Sequence, residues 1–443
     1  MATEQAYIAA TRFGYGPRPG DLETIGRDPV GWLRAQVGDL SVPSELRGLD
    51  GSAPLLAETI RQQSSAQGFG AYLKDVARPI LTHEVGRRTV AAVASDVPFR
   101  ERLVHFWSNH FTVSAKRPQI VAAVGAFERE AIRPNIFGTF ADLLVAVSQH
   151  PVMLMYLDNQ FSFGPNSVAS QQRDIGLNEN LAREILELHT LGVGSGYTQD
   201  DVIALAKLIT GWGVIRPGNN QDGTPGKFLF RSVGHEPGAK ILLGKTYRRG
   251  GVREGEDALR DLAAHPATAR FVATKLARHF LADEPTAGTI ARLARVYSDT
   301  GGDLRALSLA LIDSPEPWDD PLSKFKTPND LIISSLRALN ISTLPDKAVI
   351  GALGLLNQFP FTAPSPAGWS DRTADWLGPE ALMTRIEWLR AVSNRAPMPN
   401  PVDWAEAIIG PVLSDDTRIT VAQAQSRSEA VALVFASPEF QRK

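Results

Sequence analysis

Apolar residues recur at intervals of three and four along most of the chain, the spacing of one face of a 3.6-residue helix. The pattern predicts helices over 53–64, 70–95 (interrupted near Pro79), 98–115, 119–132, 138–148 and 151–157, then over 177–191 and 199–213. After a break it returns at 255–265, 267–282, 285–299, 302–314, 326–339, 344–357 and 379–394. Between 177–191 and 199–213, LGVGSGYT supplies a glycine stop and then Thr198 as N-cap, with Asp201 placed to complete a capping box. His150 and His265 each precede a proline at a helix start, and His235 lies in a turn before Pro237; these read as capping or turn residues.

The interruptions set the rest of the architecture. A polar loop runs over 158–176. In 214–256 the helical period is lost, and KFLFRSV and KILLGKTY, separated by GHEPGA, read as the two strands of one hairpin. A Trp/Pro-rich loop occupies 358–378, and NRAPMPNP resembles a linker. The fold class expected is mainly α: a multi-helix, bundle-like globular domain over 1–395 with one small β-hairpin insertion, followed by a helical appendage over 396–443. No fixed-period repeat is present.

Composition narrows the function classes. A net charge of −2 over 443 residues argues against a nucleic-acid partner. The absence of cysteine excludes disulfides, thiolate metal sites and a cysteine nucleophile. No apolar run reaches the length of a membrane span. The first residues, MATEQAYIAATRFGYG, lack the basic start and apolar stretch of a signal peptide. As it stands the chain therefore reads as cytoplasmic, and as periplasmic if a leader was trimmed or it is exported with a partner. There is no H-E-x-x-H, EF-hand loop, P-loop or nucleophile elbow, and no nucleotide or flavin signature.

Helical-wheel placement then picks out polar exceptions. On 177–191, Leu177, Leu181, Ile185, Leu188 and Leu191 share an arc that also contains Glu184; Asn180 and Glu187 flank it on one side, His189 on the other. Glu179, Arg183 and Glu187 have the spacing of a surface salt ladder. On 100–114, His110 falls among Leu103, Val104, Phe106, Trp107 and Phe111, whereas His105 projects away and reads as an exposed pair with Glu101. A carboxylate or imidazole on an apolar arc must be paired, neutral or ligated. Glu184 and His110 are therefore expected to converge on one polar site, as catalytic groups with Asn180 orienting the substrate. With Glu187 and His189 they are alternatively the ligands of a divalent metal such as manganese, iron or zinc. Trp107, Trp212 (expected to end the 199–213 helix), Trp369, Trp376 and Arg385 are the candidate pocket wall. His83 and His279 carry no pattern.

Four segments carry a family resemblance: AATRFGYGPRPG, ERLVHFWSNHFTVS, GLNENLAREILELHTLGVGSGYTQDDVIALAKLITGW and SPAGWSDRTADW. Together with HEPGAKILLGK, HPATARFVATKLARHF and KFKTPND they resemble the "domain of unknown function 1800" family over nearly the whole chain. Members of that family often carry export signals and are often encoded beside a sulfatase-like "domain of unknown function 1501" protein. The resemblance implies no established reaction. Two function classes are open: an enzyme with its pocket among 98–115, 177–191 and 199–213, a metal-dependent hydrolase or oxidase of extracellular or cell-envelope material; or a non-catalytic binding or assembly partner of the sulfatase-like neighbour.

Overall fold

A computed structural model describes residues 2–172, 176–218, 222–394 and 400–443. Helix makes up 61% of the protein. Buried side chains from every part of the chain, from Tyr7 to Phe440, form one hydrophobic cluster. The bulk of the NRAPMPNP segment lies outside the described residues. The helices beyond it pack back onto the body: Trp404 Nε1 donates to the Ala338 carbonyl at 2.8 Å, and Trp404 and Phe435 join the common core. Nearer the C-terminus Arg442 pairs antiparallel with Phe325, flanked by backbone bonds linking Lys326 to Gln441 and Lys324 to Lys443.

Two helices carry His105, His110 and His279. Pro98–His110 starts with proline at its first position, where a missing N–H costs nothing, and Gln36 Oε1 accepts the free Phe99 N–H at 2.9 Å. Of its residues only Asn109 is not buried. Pro266–Phe280 starts in the same way, with the His265 side chain accepting from Ala267 N. The two are bound by aromatic edges: Phe99 meets Phe280 at 5.7 Å between centroids, and Phe106 meets His279 at 5.2 Å. The N-terminal segment wedges against both, with Phe13 5.7 Å from Phe99 and 6.1 Å from Phe280.

The β structure is small, as expected, but its pairing differs. Strand β1 (Trp212–Val214) pairs antiparallel with β2 (Phe228–Phe230), and β3 (Lys240–Leu242) with β4 (Lys245–Tyr247). KFLFRSV and KILLGKTY are therefore not partners; KILLGKTY is itself a hairpin. Its two-residue turn, Leu243-Gly244, has both φ angles positive, the geometry that matches strand twist. A leucine there conceals the turn from sequence reading, and Asp201 Oδ1 holds it by accepting Leu243 N at 2.8 Å. The 199–213 helix also stops early, as Gln199–Leu208. Gly211, at φ +79, turns the chain where a Cβ would meet the Arg231 carbonyl oxygen at 2.6 Å, so Trp212 opens a strand instead of closing a helix. The Thr198–Asp201 capping box and the His150 cap are present as expected.

Candidate functional site

The helix expected over 177–191 runs from Asn180 to Glu184 and continues as a wider, π-type turn, Ile185–His189. Asn180 is exposed at its start. The salt ladder forms, with Arg183 at 3.1 Å from Glu179 and 3.4 Å from Glu187. Glu184 has no ion pair among the described residues, and its buried Oε2 has no partner. Burial and the neighbouring Glu187 push its pKa up, against the opposing pull of Arg183.

His110 and His189 come together in an aromatic nest. The His110 Nε2–H donates to the His189 carbonyl at 3.1 Å, and the two rings are 6.2 Å apart. Trp107, Phe111 and Phe140 surround His110 at 4.5–6.2 Å. Both imidazoles keep an unpartnered Nδ1. Burial, then Lys275, holds His189 down to about 3, and the same causes together with His189 hold His110 far below its ordinary value. Both are therefore neutral at physiological pH. Glu184 interacts with Glu187, Arg183 and Tyr156; His110 interacts with His189 and Lys275. Among the described residues no group of three or more His, Asp or Glu side chains is arranged to hold a metal ion.

A cavity of about 90 Å³ opens elsewhere, on the other side of Pro98–His110. Tyr15, Arg88, His105, Ser108, Asn109 and Thr112 line one side; His279, Asn329, Gln358, Phe361, Trp369, Ser370 and Asp371 line the other. At roughly 10–15 Å³ per water centre this holds about half a dozen waters or one small molecule. His105, expected at the surface beside Glu101, is only 8% exposed, and Glu101 is fully buried. The wheel identifies the less apolar face correctly, but the fold covers that face too. Glu101 serves Arg133 through two bonds of 2.8 and 2.9 Å, and Arg100 at 2.9 Å.

Two histidines face this cavity, each anchored through Nδ1. His105 Nδ1 lies 2.5 Å from the Tyr15 hydroxyl, and His279 Nδ1 lies 2.6 Å from Asp371 Oδ1. In both rings Nε2 is buried without a partner. Asn329 Oδ1 and Trp369 Nε1, on the same wall, are likewise unpartnered. Burial lowers the His105 pKa far below its ordinary value, and Arg88, Arg133, Arg102 and His279 add to the effect. Burial raises the Tyr15 pKa, so its hydroxyl keeps its proton. Burial alone would raise Asp371, but His279, Lys275 and Lys324 outweigh it and hold the carboxyl below the usual range, as an anion.

The 365–376 loop forms part of the cavity wall. Asn109 reads one peptide of it in both directions: its Nδ2 donates to the Trp369 carbonyl at 2.9 Å, and its Oδ1 accepts Trp369 N at 2.7 Å. Trp369 stands 6.0 Å from Trp376, whose Nε1 donates to the Ser370 carbonyl at 3.0 Å. Of the candidate wall, Trp369 lines the cavity, while Trp107 and Trp212 lie in the hydrophobic core. Arg385 is buried against Phe325 and donates to the Lys326 carbonyl at 2.8 Å.

Sequence reasoning missed Tyr15, His105, His279 and Asp371 as a group. Their one shared signal was membership of segments that carry the family resemblance. A family model described as "Protein of unknown function (DUF1800)" matches residues 8–442. No curated protein and no solved structure matches the chain. The protein belongs to the DUF1800 family.

Proposed function

We propose that this DUF1800 protein is a hydrolase that acts on a small polar molecule held between His105 and His279. One observation carries the reading: two imidazoles, each fixed through Nδ1 and each with a buried, unpartnered Nε2, line one cavity. His110 and His189 also keep one free nitrogen each; what sets His105 and His279 apart is that both line one void, where a molecule that enters can meet them.

The anchors assign the tautomers. Anionic Asp371 can only accept, so in the neutral ring the His279 proton sits on Nδ1 and the lone pair at Nε2. Tyr15 keeps its proton and donates to His105 Nδ1, so His105 carries its proton on Nε2 and is a donor. The cavity thus holds one base and one donor. In the proposed step His279 Nε2 takes a proton from water while the water oxygen attacks the electrophilic centre. Asp371 steadies the imidazolium that results, and that imidazolium then delivers the proton to the leaving group. His105, kept neutral by burial and by three arginines, donates its N–H to the negative charge that develops. Trp369 Nε1–H and Asn329 Oδ1 orient the substrate.

Two measurements test this. Small chromogenic carboxylate, phosphate and sulfate esters are screened for turnover, and His279→Gln is expected to lower whatever turnover is found by about 100-fold or more, the usual worth of a positioned general base. Diethyl pyrocarbonate, which acylates free neutral imidazole nitrogens, is expected to modify His279 faster than His110 or His189. Undiminished turnover in His279→Gln, or equal modification of all three histidines, would sink the proposal.

A further inference from the structure

Beside the histidine cavity, and sharing Trp369, Ser370 and Asp371 with it, is a second recess of about 160 Å³. Its other lining residues are Lys275, Arg278, Ala367 and Arg372. Three cations therefore face one carboxylate, and that carboxylate already accepts from His279. Arg278 and Arg372 reach out to the largely exposed Glu284, at 3.9 and 3.0 Å. Lys275 does not share it. Among the described residues Lys275 forms no ion pair, and its ammonium lies 5.8 Å from the Phe271 ring centroid.

This is an unusual place for a lysine. Its surroundings are the two neutral histidines of the aromatic nest, His110 and His189, on which its charge acts, and Asp371 at the edge of the recess. Burial pushes its pKa down, Asp371 pulls it up, and Arg278 pushes it down again. A half-buried ammonium with Asp371 in its field but no carboxylate in contact is only partly compensated, and a further anion would complete it. The recess that Lys275 lines is where that anion would arrive, next to the cavity that His105 and His279 line.

We propose that this recess is the anion subsite of the same active centre: the substrate carries a carboxylate, phosphate or sulfate group whose oxygens pair with Lys275, with Arg278 and Arg372 at the rim. The inference rests on the acid–base reading of the neighbouring cavity and deepens it by naming the substrate class. Trp369, Ser370 and Asp371 line both compartments, so the anionic group and the bond to be cleaved sit in adjoining recesses. Lys275 fixes the headgroup as a compact point charge, and His279 works on the remainder of the molecule.

The test uses the whole protein and three probes: acetate, inorganic phosphate and sulfate, each titrated at constant ionic strength with chloride as balance. Two signals are read, the melting temperature and the rate at which diethyl pyrocarbonate modifies His279. At least one probe is expected to raise the melting temperature and to slow His279 modification with the same saturating concentration dependence; which one does so identifies the headgroup. In Lys275→Gln the concentration needed is expected to rise at least tenfold, each rate being taken relative to that variant's own unprotected rate. Lys275→Arg is expected to keep most of the effect. If no probe protects His279, or if Lys275→Gln responds like the wild type, the subsite does not exist. If His279 resists modification even without probes, it is the reading of the histidine cavity that fails, a separate outcome.

Discussion

Replacing Gly368 by alanine should release the loop that lines the cavity. Gly368 has φ +84, and a Cβ there would lie 2.5 Å from the Asn109 carbonyl oxygen, 2.7 Å from Asn109 Oδ1 and 2.9 Å from Thr112 Oγ1. The left-handed backbone alone costs an alanine about 1–2 kcal/mol. The steric part cannot be relieved by a flexible side-chain tip, because one of the three atoms is helix backbone. The loop must retreat, and retreat breaks both bonds of the Asn109 clamp, each worth about 0.5–1.5 kcal/mol. The expected penalty is about 2–5 kcal/mol, capped by the free energy at which the loop detaches while the core stays folded. Urea unfolding followed by far-ultraviolet circular dichroism gives the global part. Hydrogen exchange at Trp369 and Asp371 gives the local part, which should accelerate far more than exchange in Pro98–His110. Asn109→Ala should cost less than Gly368→Ala, and the double variant should fall short of the sum, since both act on one contact. A loss below about 0.5 kcal/mol with unchanged exchange would refute the argument, because it would mean that the loop is not held where these contacts put it.

Glu101→Gln leaves Arg100 and Arg133 buried without their carboxylate and should cost about 3–5 kcal/mol in urea unfolding; a cost under about 1 kcal/mol would show that the cluster is not electrostatically coupled. His189 is held to about 3 in the folded state, so as pH falls below about 6.5 the unfolded chain takes up a proton there that the folded chain refuses. Its contribution to stability is complete above that pH and is lost progressively on the way down to about 3. His189→Asn should therefore flatten the stability slope between about pH 7 and pH 5, and an unchanged slope would contradict a neutral buried His189. Lys326, 2% exposed and with its ammonium 3.7 Å from the Phe440 ring centroid, is pushed down by burial to about 7. Lys326→Met should raise the melting temperature at about pH 7, where the lysine's desolvation is only partly compensated; a fall would show that the cation contributes more than its burial costs.

The helices were legible because their cause is local. A 3.6-residue period, prolines at the first turn after His150 and His265, and the Thr198–Asp201 box are each written within a few residues, and the structure repeats them. The small β insertion was legible as an interruption but not in its pairing, since Leu243 occupies a turn position where glycine or asparagine would have announced a hairpin. The histidine cavity was hardly legible at all. Periodicity separates an apolar arc from a polar one, and it assumes that the polar arc faces water. In Pro98–His110 both arcs are covered, so Arg100, Glu101, Arg102 and His105 are interior residues that look like surface ones. His279 has the same difficulty: its significance lies in Asp371, 92 positions away, and no spacing rule reaches that far.

Those separations also govern when the cavity comes into being during synthesis. Tyr15 meets His105 across 90 residues, and His279 meets Asp371 across 92. The residues of the first pair have both emerged once Pro98–His110 has been synthesised. The second must wait for the Asn109-clamped loop, long after both histidine-bearing helices are available to pack. A nascent chain lacking residues beyond 365 would already contain both histidines and their helices, but not the carboxylate that anchors His279. The His279–Asp371 contact is thereby withheld until most of the polypeptide is translated, and a free His279 would mark a chain whose folding has stopped one step short.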